Sequence, residues 1–291
     1  MRTKLIILTA ILGFCFSANA ENVIKDYDLS FNGIEVYNNF EILLIKSEQH
    51  SVTVEVPADY APYLSVTTEA GILKVRFKKL PIKMQINKER FKLTVRTPMI
   101  NFIDLSGACN LTCNDEFSLG MNNLRVTLSG ASSISTIKIN SVDGSFRLSG
   151  ASKINFSGEF SDLEIEAEGA SDVTYKGDCS ELEASITSSS KFNATGKIDR
   201  VDLDMKGASK VTFVGQGSTL DADLAGASTL KAEEFPVANA KIDAKGASKV
   251  TLDASESIKA DITGASSCKY RNRPDLRLNH VVSGGGKFQV L

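Results

Sequence analysis

Lys206-Gly-Ala-Ser-Lys-Val-Thr-Phe213, Ala225-Gly-Ala-Ser-Thr-Leu-Lys-Ala232 and Lys245-Gly-Ala-Ser-Lys-Val-Thr-Leu252 are three copies of one pattern, a Gly-Ala-Ser turn running into an alternating strand. The turn begins at Gly107, Gly130, Gly150, Gly169, Gly207, Gly226, Gly246 and Gly264, with Ser188-Ser189-Ser190 in the one gap and Gly284-Gly285-Gly286 closing the series. Successive starts lie 18 to 23 residues apart, most of them 19 or 20. A period near 20 with period-two alternation inside each unit marks a solenoid, in which no repeat buries its apolar face without a neighbour.

The alternation holds column by column. Four residues after each start stand Leu111, Ile134, Ile154, Val173, Phe192, Val211, Leu230, Val250, Cys268 and Phe288; two before it stand Leu105, Leu128, Leu148, Ala167, Ile186, Met205, Leu224, Ala244, Ile262 and Val282. The residues between them are Thr, Ser, Asp, Glu, Lys and Arg. Side chains two apart share a face of a strand, so each unit predicts two short strands with one dry face and Gly-Ala-Ser as the corner between them. Glycine permits the bend, and Ala and Ser are small enough for successive corners to stack. No long stretch carries apolar residues at helical intervals. The expected fold is all-β: a right-handed parallel β-helix of about ten coils of about 19–20 residues over residues 101–291, forming a rod on the order of 50 Å long.

Residues 1–20 read separately. Met1-Arg2-Thr3-Lys4 is basic, Leu5 to Phe16 is apolar, and Ala18-Asn19-Ala20 is a small-x-small cleavage site, the pattern of a secretory signal peptide. The apolar run is too short for a good membrane span, and Phe14 before Cys15 argues against a lipoprotein. The expectation is an exported chain, periplasmic, on the cell surface or extracellular, with no membrane span. Residues 21–100 lack the tripeptide but alternate at Ile34 and Val36, Ile42 and Leu44, Val52 to Val56, Leu73 to Phe77 and Phe91 to Val95. They read as an irregular N-terminal β portion continuous with the solenoid, a cap for its first edge.

Without Arg2 and Lys4 the chain carries about four more acidic than basic residues, which argues against a nucleic-acid partner. There are two histidines, no tryptophan, and no phosphate loop, zinc spacing or catalytic pairing of Ser, Cys or Asp with His. His280 falls in an inward column of the last coil and reads as a satisfied end-cap histidine; His50, in Glu48-Gln49-His50-Ser51, reads as a solvated turn residue. Cys113, Cys179 and Cys268 belong to coils too far apart for a disulfide, and only Cys109 and Cys113 come near enough to pair. Tyr175 and Tyr270 lie in inward columns. No catalytic residue and no cofactor is expected.

One outward column is chemically unusual. Glu166, Ser185, Asp204, Asp223, Asp243 and Asp261 stand three residues before the corner, with Glu164, Glu183, Asp202 and Asp221 two further back. Like charges stacked at about 4.8 Å repel. Either Lys206, Lys241, Lys245 and Lys259 neutralise them, or a cation such as Ca²⁺ or a basic partner docks there; the candidate metal ladder is Asp204, Asp223, Asp243 and Asp261.

Phe31-Asn-Gly-Ile-Glu-Val36, Phe40-Glu-Ile-Leu-Leu44, Ser51-Val-Thr-Val-Glu55, Gly71-Ile-Leu-Lys-Val75 and Ile103-Asp-Leu-Ser-Gly-Ala108, followed by the Gly-Ala-Ser coils, resemble the head GIN domain family of putative auto-transporter adhesins, secreted proteins of Bacteroidetes. The resemblance covers nearly all of the chain after the leader. It implies a β-helical, non-enzymatic protein of the cell envelope or surface, although no stretch reads as a translocating barrel. Its expected partner is a glycan or an envelope or extracellular protein, with self-association through the C-terminal strand edge (Lys287 to Leu291). The alternative is a carbohydrate-active enzyme, a lyase or glycosidase, which would need paired carboxylates or a bound cation under a longer loop; here the loops read as uniformly short.

Overall fold

In a computed structural model the structure describes residues 22–84 and 90–291; the expected leader, residues 1–20, lies outside them. The chain is almost entirely β, with a single 3-10 turn at Ala61–Tyr63 among the described residues. The first strands are β1 (Asn22–Tyr27), β2 (Gly33–Asn38), β3 (Phe40–Lys46), β4 (Ser51–Pro57), β5 (Leu64–Glu69), β6 (Ile72–Phe77) and β7 (Phe91–Thr97). The repeats supply β8 (Phe102–Gly107), β9 (Asn110–Ser118), β10 (Leu124–Leu128), β11 (Ser133–Leu148), β12 (Lys153–Ser157), β13 (Phe160–Ala167), β14 (Asp172–Lys176), β15 (Cys179–Ile186) and β16 (Lys191–Met205). They continue with β17 (Lys210–Gln216), β18 (Thr219–Leu224), β19 (Thr229–Ala244), β20 (Lys249–Ile262), β21 (Ser267–Tyr270), β22 (Arg277–Val282) and β23 (Lys287–Val290).

From β8 onward the strands stack in parallel as about ten coils with two walls. The wall after each corner runs through β9, the start of β11, β12, β14, the start of β16, β17, the starts of β19 and β20, then β21 and β23. The wall before each corner runs through β8, β10, the end of β11, β13, β15, the end of β16, β18, the ends of β19 and β20, then β22. The expected pair of short strands per unit is only half the picture. In β11, β16, β19 and β20 one strand of 14 to 16 residues passes through the bend opposite the corner and belongs to both walls.

The corners explain the tripeptide. The glycines adopt a left-handed φ of 68–99°, and a Cβ there would lie about 2.4–2.7 Å from the backbone oxygen of the corner below in most coils. That closeness lets the next amide reach down: the N–H groups of Ala131, Ala151, Ala170, Ala227, Ala247 and Ala265 each donate to the glycine carbonyl of the preceding corner at 2.7 Å. Where Ser188 takes the glycine's place, at φ 61°, the N–H of Ser189 donates to Gly169 at 2.9 Å. The serines do more than fit. They are buried, and the hydroxyls of Ser152, Ser171, Ser228 and Ser248 close the turn by donating to the carbonyl three residues back at 2.7–2.8 Å. In the first corner Cys109 stands in the serine's place, and its thiol donates to Ser106 in the same way at 3.6 Å.

The opposite bend has its own glycine column, Gly158, Gly177, Gly196 and Gly215, with φ between 132° and 156°. Here a Cβ would meet the carbonyl oxygen of the coil below at 1.8–1.9 Å, closer than any real contact. Between the walls the inward columns form one continuous apolar core. Aromatic rings stack along it: Phe146 on Phe156 at 4.0 Å and Phe156 on Tyr175 at 4.9 Å. Tyr175 is fully buried, and its hydroxyl donates to the carbonyls of Gly158 and Asp178.

The N-terminal strands extend both walls out of sequence order. The β2–β3 pair is a coil inserted between β6–β7 on one side and β8–β9 on the other. Beyond β7 lie antiparallel β4 and then β1, and beyond β6 lies antiparallel β5, so antiparallel strands cover that end. Residues 78–90, of which 85–89 lie outside the described residues, separate β6 from β7, a longer interval than the uniformly short loops expected. At the other end β22 and β23 form an open edge. His280 faces inward by register at the end of the stack, where it is exposed and its ring stacks on Phe288 at 4.5 Å. His50 departs from expectation: its Nε2 is 2.8 Å from the Phe31 carbonyl and its ring packs edge-on against Phe31. Arg271 and Arg273, just before the last coil, grip the buried carboxylate of Asp253 at 2.6–3.0 Å and hold that loop to the rod.

Two substitutions test the bends. Gly196→Ala places a Cβ against Gly177 and forces a left-handed φ, so it should lower the stability read from urea unfolding by on the order of 3 kcal/mol. Ser188→Gly should raise it, by up to about 1 kcal/mol, by relieving the left-handed strain of a Cβ-bearing residue. A Gly196→Ala chain as stable as the parent would contradict the close approach of the coils.

Candidate functional site

Each wall presents its outward columns to solvent at the fixed coil spacing, and the two walls differ in charge. On the wall before the corner, the register stacks Glu166, Ser185, Asp204, Asp223, Asp243 and Asp261 in consecutive coils. Glu164, Glu183, Asp202, Asp221, Lys241 and Lys259 form the adjacent column. The acidic ladder expected from the sequence is therefore one continuous strip, and most of it is matched by cations on the same wall. Arg147 bridges Glu164 and Glu166 at 3.2 and 2.9 Å, and Arg200 pairs with Glu181. Lys206 pairs with Asp204 at 2.5 Å, Lys241 with Asp221 at 2.8 Å and Lys245 with Asp243 at 3.0 Å. Lys259 makes no ion pair among the described residues.

Glu183, Asp202, Asp223 and Asp261 make no ion pair among the described residues. Partial burial, and then the charge of Asp243 beside it, push the Asp223 carboxyl above the ordinary value of 3.8. The hydrogen bonds to Asp221 and Asp243 raise the Lys241 and Lys245 ammonium groups, which holds those lysines charged. Among the described residues no group of three or more His, Cys, Asp or Glu side chains is placed to hold a metal ion. A flat ladder turns each carboxylate outward beside its neighbour rather than converging several on one point, and Ca²⁺ wants six to eight oxygens. Near its N-terminal end the same wall bears a shallow groove of about 500 Å³ lined by Arg125, Asp143, Asp162, Glu164, Glu181 and Glu183.

The wall after the corner reads differently. Its outward columns hold Lys191, Lys210, Lys231, Lys249, Lys269 and Lys287 among Asn, Thr, Ser and Gln. Lys191, Lys210, Lys249 and Lys287 share one column and Lys231 and Lys269 stand in the other, so the strip is complete only when both columns are taken together.

The thiols offer no nucleophile. Cys109, Cys113, Cys179 and Cys268 are all free and buried, so the one plausible pairing, Cys109 with Cys113, is not formed. Burial pushes the Cys109 thiol up to about 11 and those of Cys179 and Cys268 up to about 12, and it raises Cys113 as well. The thiolate is the reactive form, so at mildly alkaline pH Ellman's reagent should titrate close to none of these four thiols in the folded chain and all of them in denaturant. Rapid native reaction at Cys179 or Cys268 would show that the core opens.

The ladder yields a second expectation. Because the folded chain holds the Asp223 proton more readily than the unfolded chain does, ionised Asp223 costs stability in full above its raised pKa, and the cost fades as pH falls from there to the ordinary 3.8, below which it is gone. Asp223→Asn should raise the melting midpoint at neutral pH by about 1–2 °C, solvent screening keeping the effect small, and by nothing in acid. Asp204→Asn and Asp243→Asn each lose a lysine pair and should gain less. A Ca²⁺-dependent rise in the midpoint that these substitutions abolish would instead reveal a cation site.

Two segments, residues 30–177 and 173–274, match the family model described as putative auto-transporter adhesin, head GIN domain. No curated protein matches the sequence. The fold is shared with the crystal structure of a putative adhesin from Parabacteroides merdae, at 15% identity and a TM-score of 0.57, over 94% of this chain and 97% of that one. A putative adhesin from Parabacteroides distasonis, at 15% identity and a TM-score of 0.52, aligns over 94% and 98%. A putative lipid binding protein from the same organism, at 13% identity and a TM-score of 0.55, aligns over the same shares. The family match spans most of the sequence, and the chain belongs to the head GIN domain family of putative auto-transporter adhesins.

Proposed function

We propose that this protein is an exported, non-enzymatic binding protein of the cell envelope or surface, a stiff rod that offers a lateral wall to a glycan or protein partner. The observation that carries the reading is the form of the walls. Their outward side chains are held at one coil spacing over the length of the rod, and the space between the walls is filled by core. Such a surface suits an extended partner better than a small substrate, which is bound in a concave pocket. Family membership supports the same reading. No helix among the described residues is long and apolar enough to cross a membrane, and the basic, apolar and small-residue sequence of residues 1–20 supports export.

The enzymatic alternative finds little support. The carboxylates form a repeating strip, several of them paired with lysine, rather than two groups set apart from their neighbours across a scissile bond, and β6 and β7, the strands on either side of residues 78–90, lie at the opposite end of the stack from Asp204 to Asp261. Self-association through the open edge of β22 and β23, where Leu278, Val281, Val282 and Val290 are exposed, belongs to the same proposal.

The test has three readings on one preparation of the exported protein. N-terminal sequencing should find Glu21 first. Arrays of glycans and matrix proteins should show saturable binding, with no shortening of any polysaccharide. Light scattering should show association that deletion of Lys287 to Leu291 removes. Depolymerisation of a polysaccharide by the pure protein would replace the proposal with the enzymatic one.

A further inference from the structure

The wall after the corner carries a repeated pair of side chains. In each of six consecutive coils, one outward position is lysine and the other is a neutral hydrogen-bonding residue: Lys191 with Asn193, Lys210 with Thr212, Lys231 with Thr229, Lys249 with Thr251, Lys269 with Ser267 and Lys287 with Gln289. The lysines are exposed, and none makes an ion pair among the described residues, whereas three lysines of the opposite wall each bind an aspartate. Five coil steps of about 4.8 Å make a basic strip roughly 24 Å long. The acids nearest it in these strands, Asp172, Glu233 and Glu234, stand at its margins, and Glu233 is bonded to the Thr251 hydroxyl.

A protein that is negative overall and gathers six unpaired lysines on one flat wall has a place for a negative partner. Several occupants fit worse than one. A second copy docking its acidic wall would bury two charged surfaces with little apolar area, and interface cores are depleted in lysine and acidic residues. A nucleic acid is gripped by arginine forks and by aromatic stacking, and these columns contain neither. A membrane surface calls for apolar side chains to insert, and the columns from Lys191 to Lys269 present none. A linear acidic polysaccharide matches both halves of the repeat. Its carboxylates or sulfates meet the ammonium groups, and its hydroxyls meet Asn193, Thr212, Thr229 and Ser267.

We infer that the strip from Lys191 to Lys287 is a docking face for a linear acidic polysaccharide. The inference rests on the binding function proposed above and names its partner class. The test compares two triple variants that change net charge equally: Lys191→Gln with Lys210→Gln and Lys249→Gln on the basic wall, and Lys206→Gln with Lys241→Gln and Lys245→Gln on the acidic one. Fluorescently labelled polygalacturonate and heparin are the probes, duplex and single-stranded DNA and neutral dextran are the comparisons, and thermal melts confirm that both variants fold.

The parent should bind the acidic polysaccharides more weakly as salt rises and should ignore dextran. The basic-wall variant should lose about tenfold in affinity or more, and the acidic-wall variant should stay within about twofold of the parent. Equal losses in both variants, no binding of either probe at low salt, or tighter binding of DNA would overturn the inference. If the protein bound a neutral glycan or a matrix protein while ignoring both acidic probes, this inference would fall and the proposed binding function would stand.

Discussion

The interaction on which the rest of the structure depends is the short backbone hydrogen bond from each corner to the one below it. At 2.7 Å between the alanine N–H and the preceding glycine carbonyl, it brings successive corners closer than a Cβ would allow. Glycine makes that approach and the left-handed φ at the least steric cost, the bond lengthening to 2.9 Å where Ser188 stands instead, and alanine adds no bulk beside it. In four corners the buried serine hydroxyl, of Ser152, Ser171, Ser228 and Ser248, also donates to the carbonyl three residues back. With the corners fixed, register follows. Side chains one repeat apart then lie directly above one another, which makes a continuous core inside and ordered columns of charge outside.

Much of this was legible because a repeat converts a weak local signal into a strong one. A single Leu-x-Leu alternation is ambiguous, but ten aligned copies with Leu111, Ile134, Ile154 and their successors in one column are not. Features confined to part of the rod escaped. The second glycine column, Gly158 to Gly215, lacks a companion motif and spans only four coils, so nothing in the sequence marked it as a bend. The insertion of the β2–β3 coil between its neighbours depends on long-range pairing, which alternation alone cannot order. His280 was assigned correctly to an inward column, but inward means buried only where another coil lies above.

The site was less legible than the fold, and for a physical reason. The acidic residues share one column and announce themselves, but geometry shows that Lys206, Lys241 and Lys245 already satisfy much of their charge. The lysines of the other wall are divided four and two between two columns, and the strip is complete only once strand register places Lys210 beside Thr229 and Lys231 beside Thr251. Charge that is obvious in sequence is thus partly compensated, and charge that is divided between two columns forms a strip whose lysines make no ion pair among the described residues. The segregation costs the fold little, because outward columns on opposite walls do not meet and exposed charges are screened by salt.

Amide hydrogen exchange tests the corner ladder most directly. If the short bonds hold the coils together, the N–H groups of Ala151, Ala170, Ala208, Ala227 and Ala247 should exchange as slowly as those in the middle of the wall strands, opening only when the coils themselves come apart. Exchange at these five amides as fast as in the turn around Met121, with the walls still protected, would show that the corners are loose loops and that the walls alone carry the stack.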